Sequence, residues 1–378
     1  MRAAEHVFVG IPGPSLEPAD AALLARQQPG GVVLLPRNIG SSQTSEGRNG
    51  QNDQNDQNDQ SKGSGGNGAG AVEQLVELVA ELRRIVPGAL LAIDAEGGRV
   101  DRLRELVGPA PAAAWLARRP PAVALQSGRW IAMALRLFDL DVDFAPVVDL
   151  DRGERGNALD GRYLGARGAQ VTPRARAFLR GLHGGGIGGC LKHFPGLGAA
   201  THDTHHRPAV ITQSAAELEP DLRPFRSLLP LAGAAMIGHG IYPALDPNQR
   251  PASLSPEVLE DLLRGRLGFD GLAVSDDLEM EALGEWGDLP ARAVAAFTAG
   301  CDVVLLCASP EALPEVAAGL DQPRLLDRRR EAARRLAVYR QRLRTLRWTS
   351  QAVSLIEEPA RTDRLATIRE GLAALQRA

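Results

Sequence analysis

Residues 192–206, reading KHFPGLGAATHDTHH, put an ammonium, four imidazoles, a carboxylate, a proline and two glycines into one segment that follows an apolar run. The segment is too polar for a core and too rich in proton-transferring groups for a plain turn, so it reads as a catalytic loop on the end of a buried strand. Within it Asp203 and His205 lie one residue apart. In a turn that spacing lets the carboxylate accept from the imidazole, orient it and raise its pKa, which makes an acid/base device. The same residues admit two other readings. One is a solvated His-rich loop; the other is a metal-dependent hydrolase drawing its ligands from His193, His202, Asp203, His205 and His206.

Further costly polar groups stand at the ends of apolar runs: Asp94, Asp149, Lys192 with His193, His239, and Asp276 with Asp277. A carboxylate placed directly after an apolar stretch such as 271–274 is expensive to desolvate, so the role of a nucleophile or base is natural for it. Strand alternation sends neighbours to opposite faces. Asp276 is then the candidate for chemistry, and Asp277 is left to cap the following helix.

These groups need a scaffold that gathers strand ends, and the hydrophobic pattern describes one. Short apolar runs recur at 6–10, 31–35, 89–94, 142–148, 187–193, 234–239, 271–275 and 302–307, and helical periodicity separates them, as at 72–85, 122–137, 174–182, 256–267 and 289–299. Eight β/α units point to a single-domain α/β (β/α)8 TIM barrel, whose site lies at the carboxyl ends of the strands. Residues 41–70 break the pattern with a thrice-repeated QND unit and a Gly/Ser/Asn tail, and read as a disordered insertion after the second strand. The barrel is expected over 1–345, and 346–378 as a helical extension packed on it.

The bulk properties restrict the partners. With 378 residues and 44% hydrophobic content the chain buries a large core, and a net charge of -3 with no long basic stripe gives no electrostatic reason to expect nucleic acid or an anionic membrane. The opening MRAAEHVFVGIPGPS interrupts any signal-peptide apolar region, and no later segment approaches 18 apolar residues, so a cytoplasmic protein acting as a monomer on a small ligand is expected. Three cysteines without CxxC spacing suggest neither a disulfide framework nor a zinc site.

At these residues the chain resembles the single-domain bacterial β-N-acetylglucosaminidases of glycoside hydrolase family 3. IDAEGGRVDRL at 93–103 is similar to the family's IDQEGGRVxR signature, and FAPVVD at 144–149, ALDGRY with Arg162, and VSDDLEME at 274–281 correspond in order and spacing. KHFPGxG followed by a D-[ST]-H element is the most specific match; Leu197 replaces a frequent His, and Thr204 the usual Ser. The resemblance spans residues 6 to about 308 outside the insertion. It implies a retaining glycosidase needing no metal or cofactor, with Asp276 as nucleophile and His205, paired with Asp203, as acid/base. It further implies that Asp94, Arg102, Arg162, Lys192 and His193 hold the sugar hydroxyls. The implied substrate is N-acetylglucosamine linked to anhydro-N-acetylmuramic acid, a muropeptide fragment of cytoplasmic cell-wall recycling. Glu96 and Arg99 are expected to brace the third loop, and the Gly196–Gly198 spacing to give the fifth-strand loop hinge-like freedom.

Overall fold

The computed structural model describes residues 2–40, 68–349 and 361–377. Its strands are β1 (Val7–Gly10), β2 (Gly31–Leu34), β3 (Leu90–Ile93), β4 (Ala95–Gly97), β5 (Val100–Asp101), β6 (Val142–Asp143), β7 (Gly188–Gly189), β8 (Leu191–Phe194), β9 (Ala234–Ile237), β10 (Leu272–Asp277) and β11 (Val303–Leu306). Nine of them form one sheet in the order β7-β6-β3-β2-β1-β11-β10-β9-β8. Every pairing in that sheet is parallel. Its two edges, β7 and β8, are halves of one apolar run broken at Cys190, so the sheet closes on itself and the eight expected units make a (β/α)8 barrel.

Alternation then builds two cores. Phe8, Val33, Ala92, Val142, Met236, Val274 and Leu305 fill the barrel interior, while Val7, Val9, Val32, Leu91, Ile93 and Ala273 pack outward against the helices. The fourth run is a shorter strand than 142–148, because Pro146 has no N–H for a ladder; beyond Asp143 only the bridge from Val147 to Lys192 continues it. Helix Gly68–Ile85 begins earlier than expected and takes in the end of the 41–70 stretch, the rest of which lies outside the described residues. Among the crossovers, helix Ala215–Ala232 starts at a capping box in which Ser214 and Glu217 satisfy each other's backbone N–H groups.

Helix Leu326–Thr349 closes the barrel's amino end, with Leu336, Tyr339 and Leu343 seated among the interior residues. It runs past position 345, and helix Arg361–Arg377 lies against the flank, where Arg369 donates to the Leu106 carbonyl at 2.6 Å. A buried ion cluster fixes the floor helix. Asp302, with no exposed surface, accepts from Arg264 at 2.8 Å, Arg328 at 2.7 Å and Arg335 at 3.3 Å, and from the Ala273 N–H at 2.9 Å. Breaking a buried pair leaves an uncompensated charge, so Asp302→Ala should lower unfolding free energy by about 3–5 kcal/mol, measured by urea denaturation; a loss below about 1 kcal/mol would contradict this role.

Candidate active site

Loops from the carboxyl ends of β3, β6, β8 and β10 supply the site, and its centre is a buried chain of alternating charge. Lys192 on β8 places its Nζ 2.6 Å from Asp94 Oδ1 and 2.6 Å from Glu96 Oε1. Arg162, from the loop after β6, forks onto the same Glu96, with Nε donating to Oε2 at 2.8 Å and Nη2 to Oε1 at 2.7 Å. Burial by itself would push the Glu96 pKa up, but the two cations hold it well below the carboxylate range. Burial likewise opposes the charged forms of Lys192 and Arg162, and the facing carboxylates drive both pKa values up instead. Glu96 sits on the β4–β5 hairpin that follows Asp94, so it braces the third loop as expected and is also the shared acceptor of the cluster. The signal was present in the sequence: Asp94 and Glu96 are two apart, and an extended chain puts such residues on one side. Arg99 and Arg162 both donate to the Ala158 carbonyl, tying the third and fourth loops together. Arg102 gives its backbone N–H to the Asp94 carbonyl at 3.3 Å, and its buried Nε has no partner among the described residues.

Asp149 fixes the next segment. Its Oδ2 accepts from the His193 N–H at 3.1 Å and from His193 Nδ1 at 2.8 Å, and its Oδ1 accepts from the Leu197 N–H at 2.7 Å. Position 197 thus contributes through its backbone, which the side-chain motif did not reveal. The glycines of this loop are packed rather than hinged. A Cβ on Gly198 would stand 1.9 Å from the Leu150 carbonyl oxygen, and the Gly196 carbonyl accepts from the Tyr242 hydroxyl at 2.8 Å. Asn157 donates to the Ala200 carbonyl at 2.9 Å and holds the loop from the β6 side. The spacing of Gly196 and Gly198 therefore serves close approach, not the freedom expected of it.

Farther along, Asp203 Oδ1 accepts from both the His205 N–H at 2.9 Å and His205 Nδ1 at 2.7 Å. The hydrogen bond to Asp203 raises the imidazole pKa, against partial burial, and the Asp276 carboxylate raises it further. Burial would raise Asp203 in turn, but the hydrogen bonds from His205 bring it down to about 2. The loop docks on the segment after β10, with the Glu281 N–H donating to the His205 carbonyl at 3.4 Å and the Ala282 N–H to the Thr204 carbonyl at 3.3 Å. Asp276 lies beneath it on β10. Burial works against its ionisation, yet the imidazoles of His193 and His205 and the Asp277 N–H at 2.9 Å hold its pKa below the usual value.

Asp277 does not cap a helix. The short turn Glu281–Leu283 comes directly after it, and the next helix, Leu289–Ala299, takes its cap from Asp288, which accepts from the Ala291 N–H at 2.9 Å. The Asp277 carboxylate instead accepts from the N–H groups of Glu279 and Cys307, each at 3.2 Å, while burial and the neighbouring Glu279 lift its pKa to about 7. The residues of the metal reading are dispersed: His193 faces Asp149, His205 faces Asp203, and His202 accepts from Arg207 at 3.0 Å. Among the described residues no three His, Cys, Asp or Glu side chains are grouped to hold a metal ion, and no helix is long and apolar enough to cross a membrane.

Residues 65–337 match the glycosyl hydrolase family 3 N-terminal domain. A β-hexosaminidase of Stenotrophomonas maltophilia is 35% identical over 319 residues, covering 82% of this chain and 85% of that protein. One from Pseudomonas aeruginosa is 41% identical over 240 residues, 62% of this chain and 70% of its own. Among solved structures, a glycoside hydrolase family 3 β-N-acetylglucosaminidase from Paenibacillus sp. str. FPU-7 aligns with a TM-score of 0.78 at 28% identity, over 98% of this chain and 68% of that one. NagZ from Neisseria gonorrhoeae, solved in complex with N-trifluoroacetyl-D-glucosamine, aligns with a TM-score of 0.73 at 28% identity, over 97% and 98%. A family pattern that runs through most of the barrel, on a chain whose strand ends gather these carboxylates and imidazoles, shows that the chain belongs to glycosyl hydrolase family 3.

Proposed function

We propose that the protein is a retaining exo-β-N-acetylglucosaminidase that removes terminal β-linked N-acetylglucosamine from peptidoglycan-derived muropeptides, acting in the cytoplasm as a monomer. One observation carries this reading: the Asp203–His205 pair is tied by backbone hydrogen bonds to the segment that follows β10, and its imidazole interacts electrostatically with Asp276 near the end of that strand. Relatives named β-hexosaminidase, and a solved relative holding an N-acylglucosamine, support the choice of sugar.

In the proposed mechanism the Asp276 carboxylate attacks the anomeric carbon while protonated His205 gives its proton to the departing glycosidic oxygen. Water then releases the sugar from the aspartyl ester, with neutral His205 taking the water proton and Asp276 leaving as carboxylate. Lys192 engages two carboxylates, so one of its three N–H donors is left for a hydroxyl, and Asp94 supplies an acceptor beside it. Arg162 adds a guanidinium whose direction Glu96 fixes, Arg102 brings a buried Nε free of partners among the described residues, and His193, turned by Asp149, keeps Nε2 for the ring.

Loss of the attacking group should be close to complete: Asp276→Asn is expected to cut cleavage of 4-nitrophenyl β-N-acetylglucosaminide by at least about 10³-fold. A 5-fluoro N-acetylglucosaminyl donor should label the peptide carrying Asp276; a label elsewhere, or near-normal turnover of the variant, removes the assignment. The pH profile of kcat/KM provides a second check. His205 must be protonated to act and its pKa lies above the ordinary 6.5, so activity should persist past that pH and fall as the proton is lost. Asp203→Asn removes the largest cause of the shift and should move this alkaline limb to lower pH; an unmoved limb would assign the proton to another group.

A further inference from the structure

His239 stands at the end of an apolar run, has no exposed surface, and takes no part in the mechanism just described. Its surroundings assign it a task. The parallel ladder between β9 and β10 proceeds residue by residue from Leu272↔Ala234 to Ser275↔Ile237 and stops there. On the other side of β10 the register with β11 slips by one residue between Val274 and Asp277, which pairs again with Leu305, so Asp276 sits in a bulge on that flank and past the end of the ladder on the other. The Asp277 N–H turns back to Asp276 Oδ1 at 2.9 Å, and the Asp277 carbonyl accepts from His239 Nε2 at 2.8 Å. A side chain from β9's extension thus supplies the donor that the missing ladder would have given.

The hydrogen-bond partners also fix the state of the ring. A carbonyl oxygen only accepts, so Nε2 carries the proton. Nδ1 lies 2.7 Å from the Ser253 hydroxyl, which can donate to it. Ser253 is itself fully buried, on a turn fastened to the same extension by its N–H on the Gly238 carbonyl at 3.2 Å and by the Ala252 N–H on the Gly240 carbonyl at 2.8 Å. A neutral ring between these two partners satisfies every polar atom, and burial disfavours the imidazolium.

We infer that His239 is a positioning residue for the nucleophile: locked by Ser253 as the neutral Nε2–H tautomer, it holds the Asp277 carbonyl and thereby the bulged backbone that aims the Asp276 carboxylate. This rests on the reading of Asp276 as nucleophile. Asp276 interacts electrostatically with His193 and His205, so a lost tether leaves the carboxylate drawn toward those two rings and away from one attack line.

The test uses the full chain and compares His239→Leu, His239→Gln and Ser253→Ala. Each is assayed for kcat and KM on a dinitrophenyl β-N-acetylglucosaminide, for the pre-steady-state rate of glycosyl-enzyme formation, for binding of N-acetylglucosamine, and for Tm. His239→Leu should slow glycosyl-enzyme formation on the order of 100-fold with KM and sugar binding little changed, since a misplaced reacting group costs rate more than affinity. His239→Gln keeps an N–H donor and should recover much of the rate, while Ser253→Ala should lose on the order of tenfold. The inference is overturned if folded His239→Leu forms the adduct at the wild-type rate, or if Gln is no better than Leu and losses in kcat, binding and Tm run together. Should His239→Leu not fold, a folded Ser253→Ala with wild-type rate overturns it equally. Failure of the underlying reading is distinguishable, because the fluoro-sugar would then not label Asp276 in the wild-type enzyme.

Discussion

The barrel mouth works because its charges are buried in balance. A lone carboxylate or ammonium removed from water loses several kcal/mol of solvation even after relaxation, and a protein avoids that loss by neutralising the group or by facing it with an opposite charge. Here Asp94, Lys192, Glu96 and Arg162 form one continuous alternation across three loops, so each ion is the condition for burying the next. Removing Lys192 strands Asp94, and removing Glu96 strands Arg162, each on another loop. The arrangement explains how polar side chains can sit below the rim of an apolar barrel in fixed directions, which recognition of several hydroxyls on one sugar ring would require.

The same logic appears at the opposite end, where Asp302 answers three guanidinium groups and fastens the floor helix to β10 and β11. Ends of a parallel barrel cannot be sealed by the sheet itself. One end is covered by a helix inserting Leu336, Tyr339 and Leu343, and the other is lined by charged loops; the interior between them stays packed with apolar side chains.

Much of this was legible in the sequence, for reasons that differ by residue. The Asp203–His205 pair is a local contact, so a two-residue spacing sufficed to read it; the strand-end polar groups were legible because a charge after an apolar run is anomalous anywhere. Fold class followed from eight alternations. Other features depend on partners far away in the chain. Gly198 is a glycine because of the Leu150 carbonyl, Asn157 acts through Ala200, and Ser253 through His239, and no periodicity encodes such pairs. The break of the fifth strand at Cys190 is likewise a property of closure: one half must pair with β6 and the other with β9. Asp277 was misread because the helix that follows begins only at Leu289, beyond a short turn, and Asp288 caps it.

In the proposed mechanism, the use of an imidazole where a second carboxylic acid would serve has a physical reason in the neighbouring charges. A second carboxylate beside Asp276 would repel it and raise its pKa, so that nucleophile and acid would compete for one proton. An imidazolium does the reverse. The Asp276 carboxylate raises the pKa of His205, and the ring in turn lowers that of Asp276, so each group pushes the other toward the protonation state that the proposed reaction needs. When the proton moves to the leaving oxygen and the carboxylate becomes an ester, both charges vanish together, and the water-attack step begins with a neutral base next to a neutral ester. Asp203, whose carboxylate stays ionised because of its hydrogen bonds from His205, remains behind to stabilise the ring when it takes up the next proton.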